Sequence, residues 1–254
     1  MDARRPGTLE IMALLLLVFG FIAGTIDSIA GGGGLITVPI FTLMLGPGAS
    51  AIGTNKIVAA VSTSVALMIY RRHGHVTLRG NRRFALLAAV GAIAGAYVSP
   101  RIPPLAYKWL IVAIVPAVLY IVLAKDIWAR ELKSETKLDP RWLWLAGLAC
   151  GFYDGVAGPG GGTLMFLSLF VVARLPLLTA MGTAKVANFA TASTSLAAFA
   201  SQGHVIWNKG VMVAVGIGVG AALGAWLATK NAARWARAAL AIVSLLLLLR
   251  LIAL

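Results

Sequence analysis

Charge is scarce in this chain of 254 residues: 12% is Asp, Glu, Lys or Arg, and only 8 residues are acidic. The longest polar stretch, Lys125 to Arg141, is no longer than a loop, so no soluble domain can be cut out. Cysteine occurs once, as Cys150 in an apolar run, which excludes an internal disulfide and leaves the redox compartment open. No Cys/His cluster has metal-ligand spacing, so neither metal nor cofactor is expected. Nor is there a Ser/His pair, carboxylate pair or metal constellation of the kind an intramembrane enzyme needs. What fills the chain instead is apolar: 60% hydrophobic residues and a mean hydropathy of +0.91, the composition of an all-α polytopic membrane protein. A net charge of +14 would point to nucleic acid in a soluble protein. Here most of it falls in loops, where it sets membrane orientation, and no nucleic-acid partner is expected.

Glycine, by contrast, is abundant and clustered. Gly31-Gly32-Gly33-Gly34 interrupts two apolar runs just after Asp27. Each interior glycine costs a helix about 1 kcal/mol relative to alanine, so four in a row should stop it. Unwound backbone at bilayer depth is tolerated only where protein or a polar cavity surrounds it, which makes such a break a pointer to a transporter's binding site.

The break occurs twice. Gly151-Phe-Tyr-Asp154-Gly-Val-Ala-Gly158-Pro-Gly160-Gly161-Gly162-Thr163 aligns with the stretch from Gly24 at an offset of 127 residues, Asp27 falling on Asp154. Further on the offset is 129, with Gly53-Thr54-Asn55-Lys56 on Gly182-Thr183-Ala184-Lys185 and Gly74-His75-Val76 on Gly203-His204-Val205. The chain therefore reads as two membrane repeats, 1–124 and 141–254, joined by a cytoplasmic linker at 125–140.

Apolar segments run at roughly 9–29, 35–46, 49–70, 84–99 and 105–124, and again at 141–157, 163–175, 178–200, 209–229 and 233–254. The first resembles a signal peptide, but the repeat marks it as a retained helix. The second of each five rises only about 18 Å against a hydrocarbon core of about 30 Å, so it reads as a half-helix closing a hairpin. If the N-terminus is outside and every segment reverses, 14 Lys and Arg side chains lie inside and 6 outside, the expected asymmetry. Five reversals per half make the repeats inverted; half-helices that merely dip would make them parallel.

Lys56 and Lys185 occupy equivalent positions, about seven residues into long apolar helices. A central lysine costs at least ~2.5 kcal/mol to insert, so each needs compensation: an anion in a shared cavity, snorkelling, or pairing with Asp27 and Asp154. The two carboxylates, on the last turn before each break, are candidates for binding a coupling proton or for capping the unwound backbone. The breaks (Gly32, Gly33, Gly34; Gly160, Gly161, Gly162) start half-helices whose free N–H groups favour an anion. Thr54, Asn55, Thr183 and Asn188, with Thr37 and Thr163, could add hydrogen bonds, or serve only in helix packing. His75 and His204 read as loop residues. The arginines of 71–83 could touch anionic lipid, and Gly216, Gly220 and Gly224 could pack against another helix or a second copy in a homodimer. The run at 158–163 lacks the Lys-Ser/Thr ending of a phosphate loop.

With Asp27-Ser-Ile-Ala-Gly-Gly-Gly-Gly-Leu35, Val38-Pro39 and Gly53-Thr-Asn-Lys56 in one half, and Gly151-Phe-Tyr-Asp-Gly155, Gly158-Pro-Gly160 and Ala184-Lys-Val-Ala-Asn188 in the other, the sequence resembles the TauE/SafE family of sulfite exporters and anion permeases. Ala184 stands where the first half has Asn55, so any asparagine role is one-sided. The resemblance implies a multi-pass carrier of the bacterial inner membrane for small, sulfur-containing anions such as sulfite or a sulfonate, with Lys56, Lys185 and the two breaks as its ligands. The leading expectation is a secondary transporter working by alternating access, coupled to protons; the alternative is a passive anion channel.

Overall fold

The structure, a computed structural model, describes residues 6–78, 81–103 and 140–252. The apolar segment at 105–124 and nearly all of the 125–140 linker lie outside the described residues, as do Arg4, Arg5, Arg79, Lys108, Lys125, Arg130, Lys133 and Lys137. Among the described residues there is no strand. The helices are α1 (Pro6–Ala30), α2 (Gly34–Leu45), α3 (Ala49–Arg72) and α4 (Arg82–Val98), then α5 (Pro140–Val156), α6 (Gly161–Leu167), α7 (Leu177–Ser201), α8 (Trp207–Lys230) and α9 (Ala232–Ile252). A 3₁₀ turn, Ser99–Arg101, extends α4, and a π-helical stretch, Ser168–Val172, extends α6. Among the described residues, four stretches are long and apolar enough to cross a membrane: Ala13–Ala30, Ala49–Arg72, Arg82–Arg101 and Trp207–Lys230. The short apolar helices are Gly34–Leu45 and Gly161–Val172, where half-helices are expected.

Both breaks form for the same reason. Gly31 and Gly158 take φ of +80° and +83°, a left-handed backbone that a side chain would strain. Helix α1 stops at Ala30, and α2 turns back along it, placing Phe41 and Met44 against Leu16, Ala23 and neighbouring apolar residues. Tyr70, near the far end of α3, donates to the Ser28 carbonyl at the end of α1, so α3 again follows the direction of α1.

The two stretches interlock through glycine. In α8, Gly216, Gly220 and Gly224 lie against Leu17, Phe21 and Thr25 of α1, while Gly20 and Gly24 of α1 lie against Val213 and Ile217. In α5, Gly147, Gly151 and Gly155 meet Phe84, Ala88 and Ala92 of α4, and Gly91 and Gly95 answer from α4. Each pair is parallel, in register, and close because hydrogen replaces a side chain at every fourth position; without a hydrophobic force in lipid, such contact is what holds helices together. The stripe at Gly216, Gly220 and Gly224 is thus occupied within the chain.

Between these pairs α3 and α7 cross antiparallel. Gly53, near the start of α3, touches Phe199 and the His204 carbonyl at the end of α7; Gly182, near the start of α7, touches Tyr70 and the His75 carbonyl at the end of α3. Thr183 accepts the Thr77 N–H, and Thr54 accepts the Ile206 N–H. The Gly-Thr and Gly-His-Val repeats are two halves of one clasp, made twice.

Polarity is turned inside out. Large apolar side chains such as Leu14, Val18, Leu86, Val90, Val215 and Val219 are exposed, whereas Asp27, Asn55, Lys56, Ser62, Asp154, Lys185 and Asn188 are buried. Arg71, Arg72, Arg82 and Arg83 gather at the end where α3 finishes and α4 begins, and Lys230, Arg234 and Arg237 join them because α8 runs with α3. Arg101 and Lys209 mark the opposite end, so the basic end is the one that the positive-inside rule assigns to the cytoplasm.

A methyl group on Gly151 would lie 1.9 Å from the Ala88 carbonyl oxygen, and one on Gly220 1.9 Å from that of Phe21, whereas one on Gly218 would meet only Val61 at 3.5 Å. Gly151→Ala and Gly220→Ala are therefore expected to destabilise the protein by about 1–3 kcal/mol through overpacking. Gly218→Ala should be neutral or slightly stabilising, since alanine is the better helix former. Thermal unfolding of the purified variants in detergent checks the contrast.

Candidate functional site

The last turn of α1 brings Asp27 to its break, and that of α5 brings Asp154 to the other. Neither carboxylate pairs with the lysine of its own half. Lys56 of α3 reaches Asp154, with Nζ 2.9 Å from Oδ2 and a second hydrogen bond to the Asp154 carbonyl. Lys185 of α7 reaches Asp27, donating to its carbonyl, with Nζ 3.6 Å from Oδ2. Both lysines are closed off from solvent, at 1% and 3% exposure. Exchange is forced by the crossing of α3 and α7. Position 182 is level with 70, so Lys185 is level with about residue 67, roughly 16 Å of helix rise from Lys56. Each ammonium group is neutralised by the opposite half.

The breaks meet. A methyl group on Gly31 would come within 2.3 Å of the Gly162 carbonyl carbon and 2.5 Å of the Thr163 nitrogen, and one on Gly34 within 3.3 Å of the Pro159 α-carbon. Two asparagines flank the junction: a methyl on Gly162 would lie 2.4 Å from Asn188 Nδ2, and Asn55 Nδ2 is near Gly34. Asn55 Oδ1 accepts from Thr37, whose hydroxyl also lies within reach of the Gly33 carbonyl. Thr54 and Thr183, in contrast, are spent on the loop clasps and lie away from the junction.

The two carboxylates differ in support. Asp27 accepts from the Gly33 N–H through Oδ1 and from Ser62 through Oδ2, besides Lys185, so it also caps the start of α2. The Asp154 side chain accepts from Lys56 alone among the described residues. Ser62 was not legible as a site residue, although its counterpart at the 129 offset, Thr191, is also hydroxylated. Tyr70 and Tyr153 were likewise missed; they brace the breaks through the Ser28 and Pro159 carbonyls. His75 lies in the α3–α4 loop, and partial burial, then His73 beside it, lowers its pKa from the ordinary 6.5. Among the described residues no group of His, Cys, Asp or Glu could hold a metal ion.

Apolar outer faces, a buried polar interior and paired helix breaks at its centre define a multi-pass α-helical membrane protein built around an internal charged site. The profile of the sulfite exporter TauE/SafE proteins matches residues 16–251, and the chain belongs to that family of membrane transporters. A probable membrane transporter protein of Sinorhizobium is 35% identical over 239 residues, covering 94% of this chain and 91% of its own. One from Haemophilus influenzae is 33% identical over 218 residues, 85% of each chain. The probable transporter YfcA of Escherichia coli is 29% identical, covering 91% of this chain and 86% of its own. No solved structure matches the chain.

Removing one partner of a buried pair strands the other charge, at a cost of about 3–5 kcal/mol. Lys56→Met is expected to lower stability by that order, because Asp154 keeps no other side-chain donor among the described residues. Lys185→Met should cost less, since Ser62 and the Gly33 N–H still hold Asp27. Combining Lys56→Met with Asp154→Asn should recover most of the loss. Thermal unfolding of the two single variants and the double variant measures all three.

Proposed function

We propose that this protein is a secondary transporter that moves a small anion, a sulfur-containing oxyanion such as sulfite or a sulfonate, across the bacterial inner membrane by alternating access and in company with a proton. The observation that carries the reading is the pair of crosswise Lys–Asp contacts on either side of the junction where the two breaks touch. Each contact ties one half of the chain to the other, so opening one of them loosens the halves on one side. An anion can take a lysine only if the carboxylate gives it up, and protonating that carboxylate releases it. Anion and proton then enter together with no net charge, which limits the cost of crossing the low-dielectric interior.

We read the halves as inverted repeats. The antiparallel crossing of the equivalent helices α3 and α7 supports this, as does the exchange of partners between α1–α8 and α5–α4. Such repeats meeting at broken helices are a common plan of secondary transporters.

The test is uptake into proteoliposomes of labelled sulfite, methanesulfonate and acetate, with and without an inward proton gradient. Wild type is expected to accumulate the sulfur oxyanions, faster with the gradient, and Lys56→Ala and Lys185→Ala to lose at least about tenfold of that rate, the scale of one lost charge-assisted hydrogen bond. Absence of uptake under any gradient would overturn the transporter reading. Resolvable unitary currents in bilayer recordings would make it a passive channel.

A further inference from the structure

One hydroxyl at the junction is unspent. Thr163 is fully buried, and its Oγ1 has no hydrogen-bond partner. The other buried hydroxyls near the centre are engaged: Thr37 with Asn55, Ser62 with Asp27, Thr63 with the Ala59 carbonyl and Thr191 with that of Asn188. A threonine in a helix ordinarily donates to the carbonyl one turn back. For Thr163 that group is the Pro159 carbonyl, which lies in the break and accepts from Tyr153. The break that creates the junction thus also removes the partner of this side chain.

Its surroundings are one-sided. The Thr163 nitrogen lies against Gly31 of the opposite break, and the preceding residue, Gly162, lies against the Asn188 amide. At the 127 offset the first half has Ile36 in place of Thr163, and at the 129 offset Ala59 in place of Asn188. A buried hydroxyl without a partner costs stability that an aliphatic residue of the same shape would not, so its presence calls for a partner the protein itself does not supply.

We infer that the Thr163 hydroxyl donates a hydrogen bond to an oxygen of the transported anion and sets a preference for oxyanions over anions without oxygen. This rests on the function proposed above and names the substrate class of the same site. An oxyanion oxygen accepts a short, strong bond from a hydroxyl, whereas the larger chloride accepts a longer and weaker one. Thr163 is then a specificity residue of the second half, working beside lysines that respond to charge alone.

The experiment compares wild type with Thr163→Val, which keeps the shape, and Thr163→Ser, which keeps the hydroxyl. Uptake kinetics of sulfite and methanesulfonate into proteoliposomes are measured, with competition by chloride, alongside the unfolding midpoint without anion. Thr163→Val is expected to raise KM for both oxyanions by about tenfold or more, as loss of a hydrogen bond to a charged group implies. It should leave chloride competition unchanged and not lower the midpoint, and Thr163→Ser should restore KM. A wild-type KM in Thr163→Val overturns the inference and leaves the transporter reading standing. So does a lowered midpoint with unchanged KM, which would mean the hydroxyl serves the fold. If wild type moves no oxyanion, the transporter reading fails and this inference with it.

Discussion

Two positive charges buried among apolar helices have to be neutralised by something, and the rest of the architecture follows from what does it. Lys56 and Lys185 are each matched to a carboxylate from the other half of the chain. For Lys56 to meet Asp154, α3 must lie where α5 ends; for Lys185 to meet Asp27, α7 must lie where α1 ends. Both contacts form where α3 and α7 cross in opposite directions, and the loop clasps at Thr54 and Thr183 secure that crossing at its two ends. A pair within one half would have added no polar link between the halves.

The glycines serve this arrangement in two different ways. Along α1, α4, α5 and α8 they thin the helices so that partners approach closely, which lipid alone would not drive. At the two breaks they end α1 and α5 next to their aspartates, which places carboxylate, unwound backbone and half-helix at one spot. Asp27 shows how tightly these are joined, since one carboxylate caps α2 and also holds Lys185.

Much of this was legible in the sequence, because paired motifs let a chain be compared with itself. The breaks, the half-helices, the long helices and the lysine and aspartate positions all stood out as paired motifs. Pairing itself was one of several roles open to the lysines, and its crosswise sense was not readable: periodicity along a helix says which face is apolar, not which other helix lies against it. The loop motifs Gly53-Thr54 and Gly203-His204-Val205 repeat visibly, yet only three dimensions show that each grips the copy of the other. Hydroxyl groups were hardest to rank. Thr54, Thr163 and Thr183 look alike on paper, and what separates them is whether a carbonyl or N–H happens to be within reach.

The central claim is the antiparallel crossing of α3 and α7, and sidedness tests it most directly. In a Cys150→Ser background, single cysteines at Pro47, before α3, and at Ser201, at the end of α7, would be probed with a membrane-impermeant thiol reagent from each face. His73 and Asn231 serve as markers of the other end. The account predicts that Pro47 and Ser201 label from one side and His73 and Asn231 from the opposite side. Labelling of Pro47 and Ser201 from different sides would mean that α3 and α7 run the same way, which contradicts the crossing.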